Sequence, residues 1–204
     1  MNTLQDWVLT PFRAAVHRAT RTAVIADPHL GYDLARRRRG DAIPCFGLAE
    51  SLTGLRRLRE QYDVQRLVIA GDLVEDASGL PMVHELLAAL AESRIELAGI
   101  APGNHDRQSL IAGLPWQPDG IMLGRWRVVH GDALLPPGYV VQGHVHPCLN
   151  VAGGRRAPCY LHTEQHLVLP AFSADAAGVN IMRQPRWRDY HCVVIVGEKV
   201  MSVK

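Results

Sequence analysis

Five short segments of the chain carry side chains of the kinds that bind metal ions in proteins. They are Asp27-Pro28-His29, Gly71-Asp72, Gly103-Asn104-His105-Asp106, His130-Gly131-Asp132 and Gly143-His144-Val145-His146. The segments are spread over roughly 120 residues, so no local structural requirement explains them together. Carboxylates, an amide oxygen and imidazoles are the oxygen and nitrogen donors that manganese, iron or zinc accepts. The sequence therefore predicts a metal centre assembled from distant parts of the chain.

Most of these segments directly follow short apolar runs of the kind that form strands. The predicted strands are Thr22–Ala26, Arg66–Ala70, Ile95–Ala101, Gly120–Leu123, Trp126–His130, Tyr139–Gln142, Cys159–His162, His166–Leu169 and His191–Val196. Two helices are predicted, Phe46–Tyr62 from its apolar spacing and Pro81–Ser93 with a proline in its first turn. We therefore predict an α/β fold with a β-sandwich-like core flanked by helices. Its metal ligands lie on loops at strand ends, where irregular backbone lets side chains converge.

The composition is that of a globular protein with one core. The chain has 204 residues, of which 48% are hydrophobic and 21% charged, and we predict a single domain over residues 1–204. A net charge of +2 neither requires nor excludes a polyanionic partner. All basic residues except Lys199 and Lys204 are arginines, which indicates either a GC-rich genome or recognition of phosphate by guanidinium groups.

The cysteines and the N-terminus favour an intracellular protein. Cys45, Cys148, Cys159 and Cys192 form no paired motif, so we expect free thiols rather than a disulfide framework or a zinc finger. The N-terminal residues have no basic start followed by an apolar core, which argues against a signal peptide. No apolar run approaches about 20 residues, so a membrane span is not expected. These features predict a cytoplasmic location.

The ordered set of five segments resembles the calcineurin-like metallophosphoesterase superfamily over roughly residues 21–172. The resemblance implies two divalent metal ions and assigns their ligands position by position. Asp27, His29 and His146 would bind the first ion. Asn104, His130 and His144 would bind the second. Asp72 would bridge the two ions.

Simple electrostatics supports a shared ligand such as Asp72. Two cations about 3.5–4 Å apart repel each other, so a carboxylate and a hydroxide between them are needed. Two aspartates and one hydroxide leave the pair of divalent ions with about one positive charge in excess, which attracts a phosphodiester. The neutral ligand Asn104 does not cancel this charge. The implied reaction is in-line attack on phosphorus by the metal-bridging hydroxide.

The resemblance also implies catalytic roles outside the metal ligands. His105 would face the substrate and stabilise the transition state or protonate the leaving oxygen, and Asp106 would orient its ring and favour the imidazolium form. Acids beyond the ligands hold the ligand imidazoles in such sites. Glu75, Asp76 and Asp132 are all candidates for this role, and the sequence does not choose among them.

A narrower resemblance points to the substrate. The segments ADPHLG, GNHDR, GHVHP and LVLPAF, with a basic segment reaching Ile43-Pro44, are similar to the DNA ligase-associated metallophosphoesterases. That group includes manganese-dependent endonucleases acting on single-stranded DNA. The similarity implies manganese as cofactor, with iron or zinc as alternatives, a role in DNA repair, and a functional link to a DNA ligase and a helicase.

One arginine run gives independent support for a nucleic-acid partner. Arg36, Arg37, Arg38 and Arg39 follow the first metal ligands closely. They would track a sugar-phosphate backbone, or they would form a solvated helix face. Arg107, which directly follows His105 and Asp106, is a further candidate for binding a phosphate.

The sequence leaves three functional hypotheses. The first is a manganese-dependent endonuclease for single-stranded DNA, and the second is a phosphodiesterase or phosphatase for nucleotides or cyclic nucleotides. The third is a non-catalytic scaffold, which is disfavoured because such a protein would have lost metal ligands and this chain retains them all. DNA versus RNA, endonuclease versus exonuclease action and the oligomeric state stay open.

Overall fold

The computed structural model of the protein describes residues 5–43, 48–106, 111–151, 155–174, 176 and 178–203. Within these residues no helix is both long and apolar enough to cross a lipid bilayer. Cys148, Cys159 and Cys192 are buried free thiols, as predicted, and Cys45 lies outside the described residues.

The described residues form strands in two sheets and a small number of helices. The strands are β1 Trp7–Leu9, β2 Ala15–His17, β3 Thr22–Ala26, β4 Arg66–Ala70, β5 Glu96–Ala101, β6 Ile121–Leu123, β7 Trp126–Val129, β8 Tyr139–Gln142, β9 Pro147–Asn150, β10 Arg156–His162, β11 His166–Val168, β12 Val179–Asn180, β13 His191–Val196 and β14 Lys199–Val203. The helices are α1 Tyr32–Arg38, α2 Ala49–Tyr62 and α3 Leu80–Glu92, with 3-10 turns at Ala77–Gly79, Ile181–Arg183 and Pro185–Trp187.

The strand order explains how the carboxyl ends of several strands meet. The first sheet runs β1-β2-β3-β4-β5, and β3, β4 and β5 are parallel. The second runs β12-β9-β10-β11-β8-β7-β6, with β13 paired to β10 and β14 paired to β13. In that sheet β7, β8 and β11 are parallel. Parallel strands place the loops that follow them at one edge of each sheet.

The main core lies between the two sheets. In β3, Val24 and Ala26 belong to this core, whereas Ala23 and Ile25 pack with Leu55 of α2 in a second cluster. Successive side chains of a strand point to opposite faces, so a strand buried on both faces is apolar throughout. This confirms the prediction of a sandwich core flanked by helices. A third cluster covers the outer face of the second sheet.

Several predicted elements have the bounds that the structure shows, namely β3, β4, β8 and β13. The prediction missed β1, β2, β9, β12, β14 and α1. The first two have three residues each and gain their stability from pairing with neighbours rather than from a recognisable pattern. The helix predicted from Phe46 begins at Ala49, and residues 44–47 lie outside the described chain.

Candidate metal centre

The metal-ligand candidates follow directly from the strand ends. Asp27 comes after β3, Asp72 after β4 and Asn104 after β5 in the first sheet. His130 follows β7 and His144 follows β8 in the second. Because the sheets are stacked, these five loops converge at one end of the sandwich. The prediction that the ligands lie on loops at strand ends is confirmed.

Backbone hydrogen bonds between these loops hold them in register. The Asp27 N–H donates to the Gly71 carbonyl at 3.2 Å, and the His29 N–H donates to the Asp72 carbonyl at 2.9 Å. In the second sheet the Gly143 N–H donates to the His130 carbonyl at 3.0 Å. Rigid loops of this kind hold several ligands at fixed positions.

Asp27, His29 and His146 form one group whose donor atoms all lie within 4.8 Å of one another. The Asp27 Oδ2 atom lies 3.5 Å from His146 Nε2. It also accepts a hydrogen bond of 2.8 Å from the His144 backbone N–H. The group is the set that the resemblance assigns to the first metal ion.

A second group joins Asp72, His130 and His144. His130 Nε2 lies 3.4 Å from Asp72 Oδ2, 3.1 Å from His144 Nδ1 and 3.2 Å from Asn104 Oδ1. Two ligands about 2.1 Å from one tetrahedral ion are themselves about 3.4 Å apart, so these spacings suit a shared cation. Asp72 Oδ2 also lies 3.8 Å from His29 Nε2, which places this carboxylate between the two groups.

Unpaired buried atoms show that the residues fit a cation. Asp27 Oδ1 and His29 Nε2 are buried and have no hydrogen-bond partner within the described residues. An unsatisfied buried polar atom is costly, and a metal ion would satisfy both. Burial, and then the neighbouring His130, lower the pKa of His144, which favours the neutral imidazole that a metal requires. With only oxygen and nitrogen donors, the site suits manganese, iron or zinc.

The backbone at the ligands is strained. Positive φ angles are found at Asp27 (51°), His29 (44°), Asp72 (47°), His144 (63°) and His146 (48°). The left-handed conformation costs a residue with a side chain about 1–2 kcal/mol. Such strain concentrates at functional sites, where the surrounding structure maintains it. Here Asp27 and His29, which are two residues apart and both strained, reach the same ligand group.

Glycines at the site allow a close approach of backbone and ligand. A Cβ atom at Gly103 would overlap the Asp72 carboxylate. At Gly143 it would lie 2.5 Å from Asp27 Oδ2 and 2.9 Å from the Ala70 carbonyl oxygen. Any side chain at either position would displace a metal ligand, so these are more than turn glycines.

His105 lies beside the ligands, where it can contact a substrate. Its Nδ1–H donates to the Glu75 carbonyl at 3.0 Å, its backbone N–H donates to Asp72 Oδ1 at 2.9 Å, and its side chain is 34% exposed. Partial burial opposes protonation, but the Glu75 carbonyl and the charges of Asp72 and Glu75 outweigh it and raise the pKa of His105. A donor atom of His105 also lies within 4.8 Å of donor atoms of His29 and Asp72.

The charge of Asp106 contributes to the raised pKa of His105, as the resemblance implies, but the hydrogen bond of the His105 ring goes to the Glu75 carbonyl and not to Asp106. Asp106 is fully buried, and its carboxylate accepts hydrogen bonds of 2.9 Å from the backbone N–H groups of Leu73 and Gly103. It therefore joins the loop after β4 to the loop after β5, while the His105 ring is held by Glu75. Burial raises the pKa of the Asp106 carboxyl. We assign Asp106 a structural role in positioning Asp72 and Asn104.

Of the two adjacent acids Glu75 and Asp76, Glu75 is the one that holds a ligand imidazole. Glu75 Oε2 accepts a hydrogen bond of 2.9 Å from His29 Nδ1, which leaves Nε2 of this ring facing the metal group. This hydrogen bond lowers the pKa of Glu75. Asp76 instead caps the 3-10 turn at Ala77–Gly79, accepting a hydrogen bond from the Ser78 N–H. The sequence could not separate the two because they are adjacent.

Replacing Glu75 with Gln is expected to weaken metal binding by about 10–100-fold, the usual cost of losing a partner of a ligand histidine. The variant keeps the side-chain size but removes the charge that stabilises the donating His29 ring. Equilibrium dialysis against manganese would measure the effect. Asp76→Asn is the matched control, and equal weakening in both variants would refute the assignment.

The arginine run divides into two pairs. Arg36 is ion-paired with Asp41 and donates to the Tyr32 hydroxyl at 3.0 Å, and Arg37 donates to the Ile43 carbonyl at 3.1 Å. The side chains of the next two, Arg38 and Arg39, are exposed and make no hydrogen bond or ion pair with any described residue, although the charges of both contribute to the lowered pKa of Asp76. The run is the end of α1 and its C-cap, so it lies on a helix, as one of the two interpretations of the sequence had it. Arg107 lies outside the described residues.

Comparisons with known proteins agree with this geometry. The calcineurin-like phosphoesterase family profile matches residues 20–169 of the chain. The fold is similar to the crystal structure of Pseudomonas putida nuclease MPE, with a TM-score of 0.76, 23% identity, and coverage of 97% of this chain and 94% of that one. No curated protein matches the chain significantly by sequence. With the profile covering most of the chain, the protein belongs to the calcineurin-like phosphoesterase family.

Proposed function

We propose that the protein is a manganese-dependent endonuclease that cleaves single-stranded DNA. The observation that carries the proposal is the placement of two exposed arginines, Arg38 and Arg39, near enough to Asp76 for their charges to lower its pKa. Arg39 lies close enough to Glu75 to contribute to its lowered pKa, after the larger effects of His29 and His105. Arg38 and Arg39 are therefore free to contact phosphates on the His29 side of the centre.

The fold relative is a weaker guide to the substrate than the arginines are. It is called a nuclease, but its 23% identity to this chain supports a shared fold rather than a shared substrate. The ligand groups with their unpaired atoms indicate a metal-dependent hydrolase, as expected in this family. The extension to single-stranded DNA is therefore our inference from the arginines and from the narrower sequence resemblance.

The residues around the candidate metal centre would have different roles in phosphodiester hydrolysis. When bound, two divalent ions would supply Lewis-acid polarisation of the phosphoryl oxygens and a water of lowered pKa. Asp72 and the two ligand groups would hold these ions, and Glu75 would keep the His29 ring in the required orientation. His105, with its Nδ1 proton held by the Glu75 carbonyl, is placed to donate a hydrogen bond or a proton at the leaving oxygen.

A side-by-side assay tests the proposed substrate. Manganese-loaded protein would be given single-stranded DNA, duplex DNA, RNA and a small chromogenic phosphodiester at matched phosphate concentration. We expect internal cleavage of single-stranded DNA to be fastest. Hydrolysis of the small diester without cleavage of any polymer would reject a nuclease in favour of a nucleotide or cyclic-nucleotide phosphodiesterase.

Replacing Arg38 and Arg39 together with Ser should weaken single-stranded DNA cleavage and leave hydrolysis of the small diester unchanged. Each lost phosphate contact should also reduce the slope of the logarithm of the DNA-binding constant against the logarithm of the salt concentration by about one. The matched control replaces Arg183 and Arg188, which are exposed and have the same charge. Equal loss on DNA and on the small diester would show a structural role for the pair.

We also propose a role in DNA repair, a functional link to a DNA ligase and a helicase, and a cytoplasmic location. These proposals rest on the resemblance of the ligand segments to the ligase-associated group and on the sequence features of an intracellular protein. The neighbouring genes would test the link, because a ligase and a helicase encoded beside this chain would support it. Their absence from the neighbourhood would argue against it.

A further inference from the structure

A cavity of about 360 Å³ opens next to the second ligand group. Its wall includes His130, so the cavity and the metal centre share a side chain. Pro102 and Pro118 supply apolar surface, and the loop Leu134–Pro136 supplies more. The volume is at the lower end of the range of about 300–1,000 Å³ for ligand pockets, which suits one small ring system and its sugar.

The polar groups of this cavity argue against a phosphate as its occupant. Asp119 and Asp132 both line it, and two carboxylates would repel an anion. They suit the amine and imide N–H groups of a nucleobase instead, as acidic side chains do when they read a base edge. Arg127 also lines the cavity and could donate to the carbonyl oxygens of a base. It lies in β7, and its exposed side chain makes no hydrogen bond or ion pair with the residues that the structure describes.

Leu134 stands on the rim of the cavity and is 99% exposed. A single exposed leucine needs no explanation elsewhere on a surface. At this place its side chain, with the prolines, forms an apolar wall within the same pocket as the charged groups. Apolar walls with a few well-placed polar groups are typical of sites that bind small organic molecules.

We propose that the cavity beside His130 binds the nucleobase of a nucleotide whose phosphate lies at the metal centre. The inference deepens the proposed function and rests on it for the identity of the substrate class. The arginines at the His29 side would then hold the backbone, and the cavity at the His130 side would hold a base. Single-stranded nucleic acid fits this arrangement because its bases are free to leave a stack.

Binding of small phosphates to the manganese-loaded protein tests the inference. Isothermal titration calorimetry would compare thymidine 5′-monophosphate and thymidine 3′-monophosphate with methyl phosphate, which has no base. We expect at least one thymidine ester to bind about tenfold more tightly than methyl phosphate, since contact with a base contributes about 1–3 kcal/mol. Leu134→Ser and Arg127→Ala should each reduce this advantage several-fold and leave the binding of methyl phosphate unchanged.

Matched controls are Met182→Ser, an exposed residue elsewhere, and Arg188→Ala, and neither should change the advantage. Equal affinity for the thymidine esters and methyl phosphate would overturn the inference. An advantage that survives both cavity variants would also overturn it. A preference for thymidine esters without cleavage of any oligonucleotide would support the cavity and reject the nuclease, so the two failures are distinguishable.

Discussion

Replacing Asp72 with Ala should empty or weaken both metal positions and reduce phosphodiester hydrolysis by more than about 100-fold. Loss of a mere partner of a metal ligand costs about 10–100-fold, so loss of the shared ligand should exceed that. Asp72 Oδ2 lies within 3.8 Å of His29 Nε2 and 3.4 Å of His130 Nε2, which belong to different ligand groups. Metal content after gel filtration and the rate with a chromogenic diester would measure the two effects.

Asp63→Ala is the control for this change. Asp63 has a φ of 50°, close to the 47° of Asp72, so both substitutions place Ala on equally strained backbone. Its side chain is 58% exposed and pairs with Arg21 far from the ligands. The Asp63 variant should retain metal and activity. A fully loaded and active Asp72 variant would contradict the bridging assignment.

His105→Ala should reduce turnover by about 10²–10⁴-fold, the usual contribution of a general acid or base, while both metal ions stay bound. His105 has its Nδ1 atom occupied by the Glu75 carbonyl and its ring partly exposed, as expected of a group that faces a substrate. The loss should appear in kcat rather than in KM, because the missing interaction forms at the leaving oxygen in the transition state.

The exposed His84 of α3 provides the control, and His84→Ala should leave kcat and metal content unchanged. Metal loss in the His105 variant would show that His105 is a ligand instead. The structure makes this a real alternative, since its donor atom lies within 4.8 Å of those of His29 and Asp72. Metal content therefore separates the two roles where activity alone would not.

The positions of the central strands, and the placement of the candidate ligands at their ends, could be predicted from the sequence. Thr22–Ala26 and Arg66–Ala70 are short apolar runs because both faces of these strands are buried. Asp27 directly follows the first run, and Gly71-Asp72 follows the second. The change from apolar to polar residues therefore marks the end of each strand. Parallel pairing then brings Asp27 and Asp72 to the same edge.

The roles of Glu75 and Asp106 depended on contacts that no sequence pattern reveals. Asp106 follows His105 directly, which suggested a partner for its ring, yet adjacent side chains point in different directions and Asp106 binds backbone of the loop after β4. Glu75 and Asp76 have similar chemistry, and only the fold shows which one meets His29. The left-handed backbone of the five ligands was equally hidden, because a positive φ angle is uncommon for any residue other than glycine.

The central claim is that one chain holds two metal ions bridged by Asp72. A manganese titration of chelator-treated protein, followed by electron paramagnetic resonance, tests it directly. We expect saturation at two ions per chain, with magnetic coupling between them, because bridged ions lie about 3.5–4 Å apart. Saturation at one ion per chain, or two ions without coupling, would contradict the account.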